Sequence, residues 1–235
     1  MLTEDACTRA CAQKEKIVWI SFLVLDLFLH KTSKIEILKQ LSARGYDVHL
    51  FAIRSKKNVQ LNNSNVHLIA IPLRYFPMVT TCLFAFLLFI FLPFYIIIKR
   101  PNVIITQSDP SILGFVWKPL FRPFKLKVIL DIRSTPVEIN SFRDSLGALW
   151  FNISVVVAKK LFDGITTITP LMKKEVCDKF QIDPNFIGVW TSGVSTTLFE
   201  PERFNGSEMR KKLGLANKFI IMYHGRFDLH KGIIE

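Results

Sequence analysis

Cysteine is scarce in this sequence, with four residues among 235. Cys7 and Cys11 lie close together, but no second cysteine or histidine cluster accompanies them. We therefore expect neither a disulfide framework nor a structural metal site. Residues 1–16 are polar and charged, which is unlike a secretory signal, so we expect the chain in the cytoplasm.

Acidic residues are the second shortage. The chain carries 19 aspartates and glutamates against 31 lysines and arginines, which gives a net charge of +12. This excess favours partners that carry negative charge. Because the basic residues are scattered and no RNA-binding aromatic motif is present, we expect phosphates or an anionic membrane surface rather than nucleic acid.

Charge of either sign is absent from residues 76–98, FPMVTTCLFAFLLFIFLPFYIII. A helix of that length is about 35 Å long, enough to cross a bilayer core of about 30 Å. The strands predicted on either side belong to one sheet, however, and a complete span would separate them. Two alternatives remain: a helix buried in the fold, or a helix in the membrane interface with its flanking cations on phosphates. Apolar residues run all round this helix, and we therefore favour the interface and a peripheral membrane protein.

Strand and helix patterns alternate along the chain. Residues 16–26 form an apolar run typical of a strand buried on both faces, a capping box at Ser33–Glu36 predicts a helix start, and 46–53 is the next strand. Further strands are predicted at 66–73, 102–108, 126–132, 164–169, 186–192 and 218–225, with helices at 148–162, 170–180 and 208–213. Repeated strand–helix units predict a doubly wound, Rossmann-like α/β domain. A turn-rich connection at 192–207 divides the chain into domains 1–195 and 196–235.

Ligands of open α/β sheets bind beyond the carboxyl ends of the strands, so polar residues there are candidates. Four of them follow predicted strands: Asp109, Arg133, Glu138 and Gly193.

The segment GRFDLHKG, 225–232, is more specific. Gly225 lets backbone approach a ligand, Arg226 has a planar fork for phosphate oxygens, and Lys231 places a cation at a helix start. A diphosphate clamp and a plain turn with two solvated cations both fit this spacing.

The same segment resembles the GR-x4-KG signature of family 4 glycosyltransferases, which have the GT-B fold of two facing Rossmann-like domains. Other segments are similar to that family in the same order: ARGYDVHLF, PNVIITQSDPSILG, LDIRSTPVEI, ITTITPLMKKEV and VWTSGVSTTLFEP. The third is similar to a segment of a branch that works on lipid-linked sugar precursors. The resemblance implies retaining transfer of a sugar from a nucleotide-sugar donor to a polyprenyl-linked or surface-glycan acceptor, with no metal or other cofactor.

By this resemblance, Arg226 and Lys231 would hold the donor diphosphate, with Gly225 in the same turn. Asp109, Arg133 and Glu138 would face the acceptor as catalytic residues. Gly193 would lie near the donor in the cleft between the domains.

The sequence also departs from the family pattern. No glycine follows the first predicted strand, and the family's E-x7-E motif is expected beyond Glu235, so we expect an incomplete second domain and a fragment inactive alone. An alternative is a non-catalytic membrane-docking half of a split GT-B enzyme. A GT-B sugar-nucleotide epimerase is a third possibility, which the apolar segment disfavours.

Overall fold

The computed structural model describes residues 14–24, 31–53, 66–71, 73, 76, 79–136, 141–191, 193 and 200–223. Two compact units divide the chain, Met1–Gly193 and Val194–Glu235. In the described part of the first unit, a sheet of seven parallel strands has the order β3-β2-β1-β4-β5-β6-β7. The predicted doubly wound α/β class is therefore confirmed.

The strands are β1 (Lys16–Val24), β2 (Asp47–Ile53), β3 (Val66–Ile71), β4 (Val103–Gln107), β5 (Lys127–Ile132), β6 (Gly164–Thr167) and β7 (Ile187–Val189). The α-helices are α1 (Lys31–Ala43), α2 (Val79–Lys99), α3 (Phe142–Leu161), α4 (Pro170–Phe180) and α5 (Gly206–Lys212). Within the described ranges, 3-10 helices lie at Pro110–Phe115, Lys118–Phe124, Pro184–Phe186 and Pro201–Arg203.

Helix α1 covers one face of the sheet, where Leu38 packs with apolar side chains of β1 and β2. The capping box predicted at Ser33–Glu36 is wrong as a boundary, because α1 begins at Lys31 and Ser33 lies inside its first turn. The turn after the helix contains Gly45, whose φ of +94° is a conformation that favours glycine.

Helix α2 covers the opposite face of the sheet and has two distinct sides. Its buried side comprises Thr80, Phe84, Ala85, Leu88, Leu92 and Ile96. Phe84, Leu88, Leu92 and Ile96 are spaced every four residues and pack into the larger of the two apolar core clusters. Its outer side is exposed and almost wholly apolar: Val79, Leu83, Phe86, Ile90, Phe91, Phe94, Ile97 and Ile98. By length and composition this helix is able to cross a membrane, but β3 and β4 on either side belong to one sheet. Among the described residues, the helix therefore packs on the fold with one side and leaves the other side exposed. Contact of that exposed side with a membrane stays a prediction.

Pro93 lies inside α2, which nevertheless continues to Lys99. Proline has no N–H, so the carbonyl of Phe89, four residues earlier, loses its normal helical donor. The indole Nε1 of Trp117 donates to that oxygen at 3.0 Å. The connection after β4 thus satisfies the carbonyl that proline leaves open. Gly114 of the same connection allows close approach, since an added Cβ would lie 3.3 Å from Leu92 Cδ2.

Helix α3 begins earlier than predicted. Ser141 caps it by accepting a hydrogen bond from the Asp144 N–H, so the helix starts at Phe142 rather than 148. The sequence prediction followed apolar periodicity, which starts only where the helix reaches the core at Ala148 and Phe151. Helix α4 has the predicted bounds.

The second unit is described over residues 200–223 and contains α5. The strand predicted at 218–225 is wrong over 218–223, which have no strand assignment. Phe219 is 92 % exposed and Ile221 87 % exposed. A strand needs a neighbour to pair its backbone groups and cover its side chains, and the described part of this unit offers none.

Candidate functional site

The candidate site lies where the strand order of the sheet changes direction. From β1 the chain proceeds outward to β2 and β3, and it then returns to the other side of β1 with β4. The carboxyl ends of β1 and β4 therefore flank a topological switch point, the place where open α/β sheets bind ligands. The pairing of β1 with β2 is also irregular between Ile20 and Val24, next to this point. Such bulges often redirect a side chain beside a site.

A buried lysine occupies the switch point. Lys34 of α1 is 5 % exposed, and its Nζ donates to Ser21 Oγ and to Gln107 Oε1, both at 2.8 Å. Ser21 Oγ also donates to Gln107 Oε1 at 2.8 Å. The three side chains come from α1, β1 and β4, so the ammonium group ties together the elements on both sides of the switch point.

The environment of Lys34 disfavours its positive charge. Burial lowers the pKa of its ammonium from 10.5 to about 8, although the negative charges of Asp131 and Asp109 act in the opposite direction. Arg133 lowers the pKa further by repulsion. An amine with a pKa near 8 is able to change its charge when a charged ligand arrives.

Asp109 follows β4 and begins the first 3-10 helix. Its Oδ1 accepts a hydrogen bond from the Ser111 N–H at 2.8 Å. Burial raises the pKa of the Asp109 carboxyl, and its hydrogen bonds with Ser111 and the charge of Lys34 oppose that rise. Asp109 is therefore both a capping residue and an acidic neighbour of the buried lysine.

Arg133 is held by a buried carboxylate at the end of β5. Its Nε donates to Asp131 Oδ2 at 2.7 Å, and Asp131 is 1 % exposed. Asp131 Oδ1 accepts from Thr166 Oγ1 and from Trp190 Nε1, each at 2.9 Å. The Arg133 guanidinium lies 5.1 Å from the Trp190 ring centroid, in cation–π contact. Asp131 thus fixes the position of a cation that is itself partly exposed.

A groove adjoins this cluster. Its lining comes from the ends of β4 and β5 and from the start of α3: Ser108, Ser134, Thr135, Pro136, Arg143, Asp144, Gly147, Ala148 and Phe151. Ser108 precedes Asp109 and Ser134 follows Arg133 in the chain. Three hydroxyls and an arginine at the carboxyl edge of a sheet can bind a polar, anionic ligand.

The structure brings two of the predicted site residues together, because Asp109 and Arg133 both act electrostatically on Lys34. Gly193 lies three residues beyond Trp190, and an added Cβ there would meet no atom of the described residues within 4 Å. Glu138, Gly225, Arg226 and Lys231 lie outside the described residues. Their roles stay predictions.

Lys34 was not among the candidates of the sequence analysis, because a charged residue of a helix is expected on its exposed side. The buried stripe of α1 comprises Lys34, Leu38 and Ser42. The signal was present, since Lys34 precedes Leu38 by four residues and so shares its face. A charged residue in an apolar stripe next to a strand end is a candidate site residue when hydroxyl and amide oxygens nearby can accept its hydrogen bonds.

The geometry defines a doubly wound α/β protein with a polar cluster at its switch point. The sequence matches the model of Glycosyltransferase Family 4 over residues 32–198. That match covers more than half of the chain, and the chain therefore belongs to this family. A comparison with curated proteins gives no match.

Solved structures show the same fold. A sucrose-phosphate synthase from Thermosynechococcus elongatus aligns with a TM-score of 0.63 and 15 % identity, covering 86 % of this chain and 53 % of its own. A glycosyltransferase from Rickettsia africae aligns with a TM-score of 0.53 and 15 % identity, covering 86 % and 50 %. A UDP-N-acetylglucosamine 2-epimerase candidate from Listeria monocytogenes aligns at 0.50 and 10 % identity, covering 75 % and 44 %. The chain thus spans about half the length of these proteins, and the predicted GT-B type is confirmed at the level of the fold.

Proposed function

We propose that this chain is the acceptor-side domain of a glycosyltransferase that moves a sugar from a nucleotide-sugar donor to a lipid-linked or cell-surface glycan acceptor. One observation carries the proposal. In a chain that matches the family 4 model, Lys34, Asp109 and Arg133 lie together at the switch point, on the carboxyl edge of the sheet. The adjoining groove offers hydroxyls and Arg143 to an acceptor with phosphate and sugar groups. Retention of anomeric configuration, without a metal, is part of the proposal.

The proposed division of roles follows from charge. Arg226 and Lys231 bind the donor diphosphate and stabilise negative charge on the leaving nucleotide, together with the backbone at Gly225 and Gly193. Asp109, Arg133 and Glu138 face the acceptor. Lys34 stabilises the carboxyl edge of the sheet, because its ammonium group donates hydrogen bonds to Ser21 and Gln107 and so holds both side chains in position.

A transfer assay on the complete protein tests this proposal. Nucleotide sugars are screened with polyprenyl-phosphate and glycan acceptors, and the products are detected by mass spectrometry. Arg226→Ala and Lys231→Ala should each slow transfer on the order of a hundredfold, as loss of an oxyanion donor does elsewhere. Near-normal turnover in both variants would remove the diphosphate clamp. Absence of transfer with every donor would contradict the enzyme proposal itself.

We propose in addition that the outer side of α2 docks on the cytoplasmic face of an anionic membrane. The apolar side chains there are well exposed, with Phe86 at 58 % and Phe94 at 59 %. Lys99 and Arg100 lie at the carboxyl end of the helix, and the Arg100 guanidinium lies 5.8 Å from the ring centroid of Phe124. An apolar surface edged by cations matches the interface of an anionic bilayer.

Flotation with vesicles tests the docking. The wild-type protein should float with vesicles that contain phosphatidylglycerol. The triple variant Leu83→Glu, Phe86→Glu and Ile90→Glu should remain in solution, because each glutamate replaces exposed apolar surface with charge. A matched control also adds three glutamates, at exposed apolar residues of other helices: Phe142→Glu, Val156→Glu and Leu171→Glu. Equal flotation of triple variant and wild type would contradict this docking surface.

The exposed side of α2 also favours the second candidate, a membrane-docking half that works with a separate catalytic chain. The two are distinguished by combining both assays. Flotation together with transfer by the purified protein supports the enzyme. Flotation without transfer, followed by transfer when host membrane extract is added, supports the docking half.

A further inference from the structure

We propose that Asp47, His49 and His67 form a binding site for a divalent transition-metal ion of the zinc type. This site goes beyond the proposed sugar transfer, which we expect to need no metal. It lies at the amino-terminal ends of β2 and β3, whereas the candidate site lies at the carboxyl ends of β1, β4 and β5.

Strand pairing places the three side chains on one face of the sheet. β2 and β3 run parallel, and His49 is the direct partner of His67 in their register. Partners across neighbouring strands point to the same side, and Asp47 shares that side because it precedes His49 by two residues. The placement therefore follows from backbone register rather than from the choice of one side-chain rotamer.

The ligand atoms are close to the spacing that a metal needs. Asp47 Oδ1 lies 3.1 Å from His49 Nε2 and 3.4 Å from His67 Nε2, and all three atoms lie within 4.8 Å of one another. Metal–ligand bonds of about 2.0–2.1 Å in a tetrahedron set neighbouring ligands about 3.3 Å apart. Two of the three separations already match. His67 is the outermost ligand, on the edge strand β3, and its exposed ring has room to turn toward His49 when an ion binds.

The surroundings orient the ligands as in known metal sites. His49 Nδ1 lies 3.0 Å from Tyr95 Oη, so the outer ring nitrogen has a partner while Nε2 faces the carboxylate. Such outer partners fix the ring and the tautomer of metal-binding histidines. His67 is more than half exposed, which gives the ion a path and leaves the fourth position to water. Two imidazoles and one carboxylate suit zinc, iron, nickel and copper.

Nearby cations oppose metal binding, since Lys14, Lys16, Lys99 and Arg100 line the same cavity as Asp47 and His67. Lys16 Nζ lies 3.7 Å from Asp47 Oδ2, and it donates to the Lys99 carbonyl at 3.0 Å. Lys16 therefore occupies the oxygen of Asp47 that does not face the histidines. Removal of its charge should strengthen metal binding, whereas a cluster held only by hydrogen bonds predicts no such effect.

Titration of the untagged full-length protein with ZnCl2, followed by calorimetry, tests the site. We expect one ion per chain with a dissociation constant in the micromolar range or below. Saturating zinc should raise the melting temperature by about 5–10 °C, because the ion binds the native state only. Cobalt should give the visible absorption bands of a tetrahedral ion, which report the coordination geometry directly.

Variants separate a metal site from a hydrogen-bonded cluster. His67→Ala and Asp47→Asn should each weaken zinc binding at least tenfold, and Lys16→Gln should tighten it. His67 lies on the surface, so His67→Ala is expected to fold, and circular dichroism checks this. Wild-type protein that fails to bind zinc at 100 times the protein concentration would overturn the proposal. Equal binding by wild type and both ligand variants would overturn it as well. None of these results bears on sugar transfer, so the two proposals fail independently.

Discussion

The contact between Trp117 and the Phe89 carbonyl allows a double-mutant test of the architecture around Pro93. In the wild type, the ring centroids of Trp117 and Phe89 are 5.1 Å apart, and the Trp117 indole N–H donates to the Phe89 carbonyl at 3.0 Å. Trp117→Phe keeps an aromatic ring beside Phe89 but removes this donor. An acceptor left without a donor in a partly buried place costs about 1–2 kcal/mol. The melting temperature of a chain of this size should then fall by about 2–8 °C.

The second variant supplies the missing donor. Pro93→Ala restores an N–H to the helix and should raise the free energy of unfolding by about 2–3 kcal/mol, since proline in a helix interior costs that much. In the Pro93→Ala background, Trp117→Phe should cost less than about 0.5 kcal/mol, because the restored backbone N–H now donates to the Phe89 carbonyl. The coupling free energy is therefore about 1 kcal/mol, and urea denaturation of the four proteins measures it. Additive effects, with Trp117→Phe equally costly in both backgrounds, would refute the reasoning.

Three further predictions concern stability. Asp131→Asn should lower the free energy of unfolding by about 3–5 kcal/mol, since it leaves the largely buried Arg133 guanidinium without its counter-charge. The control Asp144→Asn changes an exposed carboxylate and should alter the free energy of unfolding by less than about 1 kcal/mol. Thermal denaturation compares the two variants. Because the native Lys34 pKa is about 8 and the unfolded value 10.5, the native state binds fewer protons between these values, so stability should rise from pH 8 to 10.5 by on the order of 3 kcal/mol. Urea denaturation at each pH measures the free energy of unfolding. Lys34→Met should abolish the rise, and an equal rise in this variant and in the wild type would contradict the prediction. Leu88→Ala should cost about 2–5 kcal/mol and Phe86→Ala less than about 0.5 kcal/mol, because only the first faces the core; similar losses would mean that the two sides of α2 are wrongly assigned.

Sequence patterns predicted the sheet well because its strands are buried on both faces. The run around Val18 is almost unbroken and carries no charge between Lys16 and Asp26, a pattern typical of a parallel strand that is buried on both faces. Apolar periodicity also gave the bounds of α4, where proline begins the helix and a left-handed Gln181 follows it.

Sequence patterns failed where a residue lies in an environment that is unusual for its type. Lys34 was overlooked because a charged residue is normally exposed, and only the tertiary arrangement of Ser21 and Gln107 makes its burial tolerable. The pairing of Asp131 with Trp190 joins residues 59 positions apart, which no local pattern encodes. The strand at 218–223 failed for the opposite reason, since strand propensity needs partner strands before it becomes structure.

The outer side of α2 was predicted in part. Apolar residues all round the helix indicated more contact surface than a sheet cover requires, and the structure leaves one side of the helix exposed. The sequence did not indicate that Arg100 packs on Phe124, because the two residues meet only after the connection folds back along the helix.

The tryptophan stack also gives the protein an optical signal of its own. Trp19 and Trp190 lie 5.6 Å apart with their rings 19° from parallel, close enough for their excited states to couple. Trp190 also bonds Asp131, the residue that positions Arg133. Any ligand that draws Arg133 away from Asp131 will therefore disturb the indole pair, and the change will be visible in the circular dichroism of the aromatic bands without a label. The fold thus contains a spectroscopic reporter beside its candidate site, with which candidate ligands can be screened without a label.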